Sequence, residues 1–228
     1  MAKGLQQFKN HLSYSQIVDG MNAACDNARR LVEDAQILFD SQRFPSAVSL
    51  AILSIEESGK TAILREMATV QDGKALKAAW RSYRSHTKKN VAWILPDLVR
   101  SGARKLDDFE KISNPQGGHP ELLDNLKQIG FYTDCLGQAH WSVPSEVIDE
   151  TTAKSILSVA QILSKKRIHT EREIELWVAH VGPAKPSTLE RQKKAVYDWF
   201  KAMEAEGLIE EDEIPFAEFL DCQESYNQ

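Results

Sequence analysis

Apolar residues in this chain recur every three or four positions rather than every two, from about residue 13 to residue 207. Ser13 or Ser15 is placed to cap a first helix that carries Ala24, Ala28, Leu31, Ala35 and Leu38 and runs to about Ser41. Pro45 suits the first turn of a second helix, residues 45 to about 70, and Gly73 suits the position just past its end. Two long helices joined by so short a link predict an antiparallel hairpin. A third helix is predicted over 74–95, with room for a break, and Pro96 starts a weakly amphipathic piece that extends to about residue 112. Residues 114–120, rich in Gly and Pro, form the clearest loop. Further helices are predicted over 121–134, from Pro144 to Leu163, from a Thr170 cap over 171–181 with Glu173 at the capping-box position, and over 187–207. No period-two alternation and no Asn-Gly or Asp-Gly hairpin stands out. The fold class is all-α. A soft boundary near residues 166–170 divides an expected bundle, 1–166, from a C-terminal helical extension, 167–228.

One stretch breaks the amphipathic rule. Around residues 49–67 the apolar positions Leu50, Ala51, Ile52, Leu53, Ile55, Ile63, Leu64 and Met67 point in nearly every direction of a helical wheel, as in a buried helix. Glu56, Glu57 and Lys60 are set into its middle. Buried charges are costly unless paired and hydrogen-bonded, so these three need partners elsewhere in the chain.

Composition narrows the class. The chain has 228 residues, 42% of them hydrophobic, enough for one large helical domain or two small ones. A net charge of −5 argues against a surface coated for duplex DNA but leaves room for a local basic patch. Cys25, Cys135 and Cys222 are far apart and form no Cys-x-x-Cys, which reads as a reducing, cytoplasmic setting without a disulfide framework. No signal-type run and no membrane-spanning stretch is present in the sequence. His119, His140, His169 and His180 have no metal-ligand spacing with carboxylates or cysteines, and no phosphate loop or nucleophile motif is found, so neither metal nor cofactor is expected. Trp177, Trp199 and Phe200 fall at helical spacing and read as core.

The basic patch lies in the third helix. Lys74, Lys77, Arg81, Arg84 and Lys88 share one stripe, opposite Leu76, Ala79, Trp80, Tyr83 and Thr87. Such a stripe is a candidate phosphate-contacting surface, and equally a solvated face. Within it, Arg81 and His86 suit metal-free RNA cleavage: an imidazole can move the proton of a 2′-hydroxyl, and a guanidinium can neutralise charge on the phosphorane. On a straight helix the two side chains would diverge by roughly 140°. A new helical start capped by Ser82, or a site shared between two subunits, would bring them together. His86 also suits a simple structural bond to Glu56 or Glu57.

These residues resemble a known family. SLAILSIEESGK at 49–60, with RFPSAVSLA at 43–51, HTKKN at 86–90, KQIGFYTD at 127–134 and WSVP at 141–144, is similar to the AbiV-type abortive-infection proteins of the HEPN superfamily. The resemblance covers about residues 24–165 and implies an HEPN-like helical bundle with an anti-phage role. Many HEPN domains are metal-independent endoribonucleases that act as homodimers with a composite cleft. Carried over, Arg81 and His86 are the catalytic pair, and Glu57 or Glu56 orients the histidine. Lys89 and Asn90, with Arg84 and Lys88 of the basic stripe, contact the RNA; Glu56 and Lys60 support the site. Ser82 departs from the Asn, Asp or His that often follows the arginine in active members. A rival reading is a non-catalytic interaction module, in which Glu56, Glu57, Lys60 and His86 form a structural network and a phage or host protein docks on the surface.

Overall fold

The computed structural model describes residues 6–103, 112, 117–185 and 187–209. Most of the helical piece expected beyond residue 103, the start of the 114–120 loop, Cys222 and the acidic tail lie outside the described residues.

Helix α1, Tyr14–Asp40, starts at Ser13, whose hydroxyl accepts from the Gln16 amide while the Gln16 side chain accepts from the Ser13 amide. Helix α2, Phe44–Met67, has Pro45 in its first turn. The two run antiparallel. Gly20 lies against Leu64, Ser54 donates to the carbonyl of Ala28 at 2.7 Å, and Phe39 meets Phe44 across the turn. Val32, Ala35, Val48, Ala51, Ile52 and Ile55 form the centre of the main core. Each side chain as large as Ile52 contributes about 1.5–3 kcal/mol through burial.

Gly73 does not cap α2. It opens helix α3, Gly73–Arg84, because Asp72 accepts from the amides of Lys74 and Ala75 and takes the N-cap position itself. The break expected in the third helix falls at Ser85, in extended conformation, rather than beside Ser82. A single turn, α4, His86–Lys89, follows and leads through a 3₁₀ turn into α5, Leu95–Arg100, which Pro96 initiates.

Helix α6, His119–Phe131, packs on α2 so closely that Gly130 has no room for a side chain: a Cβ there would sit 2.4 Å from Ser49 Oγ. A small hairpin, β1 Asp134–Leu136 and β2 His140–Ser142, follows. Three-residue strands are too short to display the alternation that marks a strand in sequence, so this stretch read as irregular. The helix expected from Pro144 is split. A turn, α7, Pro144–Val147, stops at Ile148, and Asp149 caps α8, Glu150–Leu163, by accepting from Thr152. The last described helices are α9, Glu171–His180, and α10, Leu189–Ala205. Trp177, Trp199 and Phe200 are core there, as their spacing implied. Ile174 joins Ile17, Met21 and Leu64 in a cluster that ties α9 to the hairpin. The chain is an all-α bundle built on a long helix hairpin with a C-terminal helical extension. No helix among the described residues is long and apolar enough to cross a membrane.

Candidate functional site

The buried helix α2 delivers Glu56 to a fixed point facing α4 and α6. Glu56 is 2% exposed, and its Oε2 lies 2.6 Å from Nδ1 of His86. The other carboxylate oxygen, Oε1, accepts from the Lys127 ammonium at 2.6 Å. Lys127, on α6, also donates to Asp124 at 2.7 Å, and Lys89 sits 3.5 Å from Glu56 Oε2. Burial alone would push the Lys127 ammonium down, but its bonds to Asp124 and Glu56 outweigh that and hold it above the usual lysine value.

This arrangement fixes the tautomer of His86. A carboxylate only accepts hydrogen bonds, and the Glu56 carboxylate lies among the ammonium groups of Lys127 and Lys89, which only donate, so Nδ1 carries the hydrogen. Nε2 is left with its lone pair. The imidazole is 53% exposed, although its partner carboxylate is sealed. A buried carboxylate that orients an open imidazole from behind is an arrangement suited to a general base.

Glycine makes the approach possible. A Cβ on Gly59 would fall 1.6 Å from the carbonyl oxygen of Lys89, so the backbones of α2 and α4 touch at this position. The Gly of the Glu-Glu-x-Gly-Lys stretch is therefore what seats α4, and His86 with it, on Glu56. Glu57 points elsewhere. It accepts from Lys60 at 2.5 Å, and the Lys60 ammonium lies over the Tyr83 ring at 5.3 Å.

The remaining predicted site residues divide sharply. Arg81 and Lys88 are exposed, and their charged groups make no hydrogen bond or ion pair among the described residues. The helix break at Ser85 lies between Arg81 and His86, so a straight-helix divergence does not apply to them. Arg84 is engaged: its guanidinium stacks over Trp80 and donates to the carbonyl of Phe8 at 2.7 Å. Lys89 is buried against Glu56. Asn90 is fully buried and donates to the carbonyl of Pro120 at 3.0 Å, which ties α4 to α6.

Glu56, His86 and Asp124 place one ligand atom each within 4.8 Å of one another. The Lys127 ammonium bridges the two carboxylates of that group, so the chain itself supplies the cation the carboxylates need.

A second histidine–glutamate pair has the opposite character. His169 Nδ1 lies 2.8 Å from Glu173, and the two side chains are 2% and 3% exposed. Arg65 and Arg167 also reach Glu173, at 3.3 and 3.2 Å. Asn22 exchanges two hydrogen bonds with the His169 backbone, and Cys25 Sγ lies 3.7 Å from His169 Nε2. Burial pushes the Cys25 thiol up, which keeps it a neutral packing group. This sealed cluster clips α9 onto α1. Glu173 holds the position of a capping-box residue, yet its carboxylate serves His169 and two arginines instead of the backbone.

Lys127 and Asp124 were missed in the sequence. The available signal was a lysine on the same helix face as the apolar Leu123 and Gly130, three residues after an aspartate. A charge on an apolar face asks for a buried partner, just as Glu56 did.

Among curated proteins and solved structures nothing matches this chain significantly. The family model described as AbiV matches residues 16–165, which hold Glu56, Arg81, His86 and Lys127. The chain therefore belongs to the AbiV family, the abortive-infection type of the HEPN proteins.

Proposed function

We propose that this protein is a metal-independent endoribonuclease that cuts single-stranded RNA as part of an anti-phage response. The observation that carries the proposal is the open His86 held by the sealed Glu56. In this reading His86 Nε2 takes the proton from a 2′-hydroxyl, and the 2′-oxygen attacks the adjacent phosphorus. The P–O bond to the 5′-oxygen then breaks, and that oxygen leaves with a proton from the histidine of a second copy or from water. Arg81, exposed and without an ion pair among the described residues, neutralises the phosphorane, and Lys88 holds a neighbouring phosphate. A homodimer supplies the second side of the cleft. Lys89, Asn90 and Arg84 support the site from behind, since the Lys89 ammonium, the Asn90 amide nitrogen and the Arg84 guanidinium are already engaged within the chain.

The deciding experiment is cleavage of a fluorophore-quencher single-stranded RNA by the wild type and by His86→Ala, with EDTA present. The proposal expects cleavage by the wild type and a loss of about 10²–10⁴-fold in the variant. The engagement of Arg84, Lys89 and Asn90 favours the second reading, a protein-docking module that binds a phage or host partner. On that reading neither protein cuts RNA, and His86→Ala leaves partner capture unchanged.

A further inference from the structure

The histidine's usefulness depends on which ring nitrogen carries the hydrogen, and the groups that decide this come from three elements. They are Glu56 on α2, Lys89 on α4, and Asp124 with Lys127 on α6. Among them, Lys127 is the only one besides His86 whose bond to the Glu56 carboxylate is of normal hydrogen-bond length, 2.6 Å. Lys89 stands off at 3.5 Å, on the oxygen already used by His86.

We propose that Lys127 is a positioning residue: by donating to Oε1 of the buried Glu56 carboxylate, it keeps Oε2 the acceptor for His86 and so holds the ring in the Nδ1–H form with the Nε2 lone pair free. The role of that lone pair rests on the nuclease reading above. The effect on the ring does not.

The chemistry runs as follows. Without Lys127, a carboxylate that is 2% exposed keeps only the Lys89 ammonium, 3.5 Å away, and burial favours a proton on it over an under-paired charge. Two places receive that proton. If it stays on Glu56, it sits on Oε2, where Nδ1 of His86 at 2.6 Å is its acceptor, rather than on Oε1, whose hydrogen-bond partner was Lys127, and the carboxyl becomes a donor. The ring must then accept at Nδ1 and carry its hydrogen on Nε2. If it moves to the ring, the imidazole becomes a cation with hydrogen on both nitrogens. Either way Nε2 gains a hydrogen and loses its lone pair, so it can no longer take a proton from a substrate hydroxyl.

Asp124 completes the device. Its carboxylate is 26% exposed and binds the same ammonium at 2.7 Å. It anchors Lys127 from the rim of the site and leaves the inner bond of the ammonium directed at Glu56. The order Asp124, Lys127, Glu56, His86 thus runs from α6 through α2 to α4. It depends on α6 lying tight against α2, which Gly130 permits, and on α4 touching α2 at Gly59.

The test is a long-range ¹H–¹⁵N correlation spectrum of histidine-labelled protein, which distinguishes protonated from unprotonated ring nitrogens. His86 is assigned by its loss in His86→Ala. For the wild type, above the pH at which the ring titrates, the proposal expects hydrogen on Nδ1 and none on Nε2. In Lys127→Met, which fills the same space without charge, it expects Nε2 to be protonated at that pH, while Lys127→Arg keeps the wild-type pattern. Lys127→Gln retains a hydrogen-bond donor without the charge, and it gives the same answer should the Met variant not fold. A folded Met or Gln variant with Nδ1–H and an unprotonated Nε2 overturns the proposal, whatever its loss of stability, because a merely structural lysine would leave the ring unchanged. Cleavage by Lys127→Met is expected to fall about 10²–10⁴-fold. If the wild type cuts no RNA, the nuclease reading fails and the nitrogen pattern still decides this one.

Discussion

Glu56 and His86 are joined by a 2.6 Å bond that crosses from the interior to the surface: the carboxylate is 2% exposed and the imidazole 53%. His169 and Glu173 make nearly the same bond with both partners sealed. Two pairs of equal chemistry therefore serve different ends in one chain. The sealed pair docks a helix, and the open pair presents an imidazole to solvent.

Removing the buried carboxylate exposes its importance. Glu56→Ala leaves Lys127 and Lys89 without their shared partner and should cost about 3–5 kcal/mol. Glu57→Ala loses only the local pair with Lys60 and should cost no more than about 1 kcal/mol. Urea unfolding of the two variants measures both. Equal losses would mean that Glu56 is not the centre of the network.

Gly59→Ala places a methyl group where the Lys89 carbonyl already lies. Two backbones cannot yield as a flexible side chain can, so the loss should reach or exceed the upper end of the about 1–3 kcal/mol typical of overpacking. Thermal unfolding measures it, and cleavage should fall as α4 is pushed off Glu56. A variant with the wild-type melting temperature would contradict the close approach.

The Glu173 cluster should appear in the acid limb of stability. Burial would raise the Glu173 carboxyl, but the bond from His169 and the charges of Arg65 and Arg167 outweigh it and hold the group below its ordinary value. The unfolded chain therefore binds this proton first as the pH falls. The stability that Glu173 contributes is complete above the ordinary glutamate value of about 4.3 and is lost as the pH drops through the lower folded-state value. Unfolding midpoints measured from pH 6 down to pH 3 should fall more steeply for the wild type than for Glu173→Gln. Parallel slopes would contradict the assignment.

Exposed and engaged polar residues should separate in RNA binding. Lys88→Ala should weaken binding and lower the salt dependence by about 0.7 in log–log slope, the value for one lost contact to a single strand. Asn90→Ala should instead destabilise the fold by about 1–3 kcal/mol, because it removes the buried bond that ties α4 to the Pro120 carbonyl. Binding isotherms across a salt series, paired with melting curves, distinguish the two. An unchanged slope for Lys88→Ala would remove that residue from the RNA path.

Much of the frame was legible because single residues announce it. Ser13, Pro45 and Thr170 mark helix starts that the structure keeps. The apolar wheel around Glu56 identified a buried charge before any partner was known. What stayed hidden depends on competition between local options. Asp72 caps a new helix that opens at Gly73, the residue expected to end α2, Ser85 rather than Ser82 breaks the third helix, and Asp149 divides the helix after Pro144. Choosing between Glu56 and Glu57 for His86 required the packing of α4 on α2, and Lys127 required that of α6. Neither is a local property of the chain.

The most direct test compares the two histidine pairs in one assay: RNA cleavage and melting temperature for His86→Ala and His169→Ala. His86→Ala should lose cleavage by about 10²–10⁴-fold and melt near the wild type. His169→Ala should melt lower by an amount equivalent to about 1–3 kcal/mol while its folded fraction still cuts RNA. Cleavage that survives in His86→Ala, or a wild type that cuts no RNA, would contradict the account.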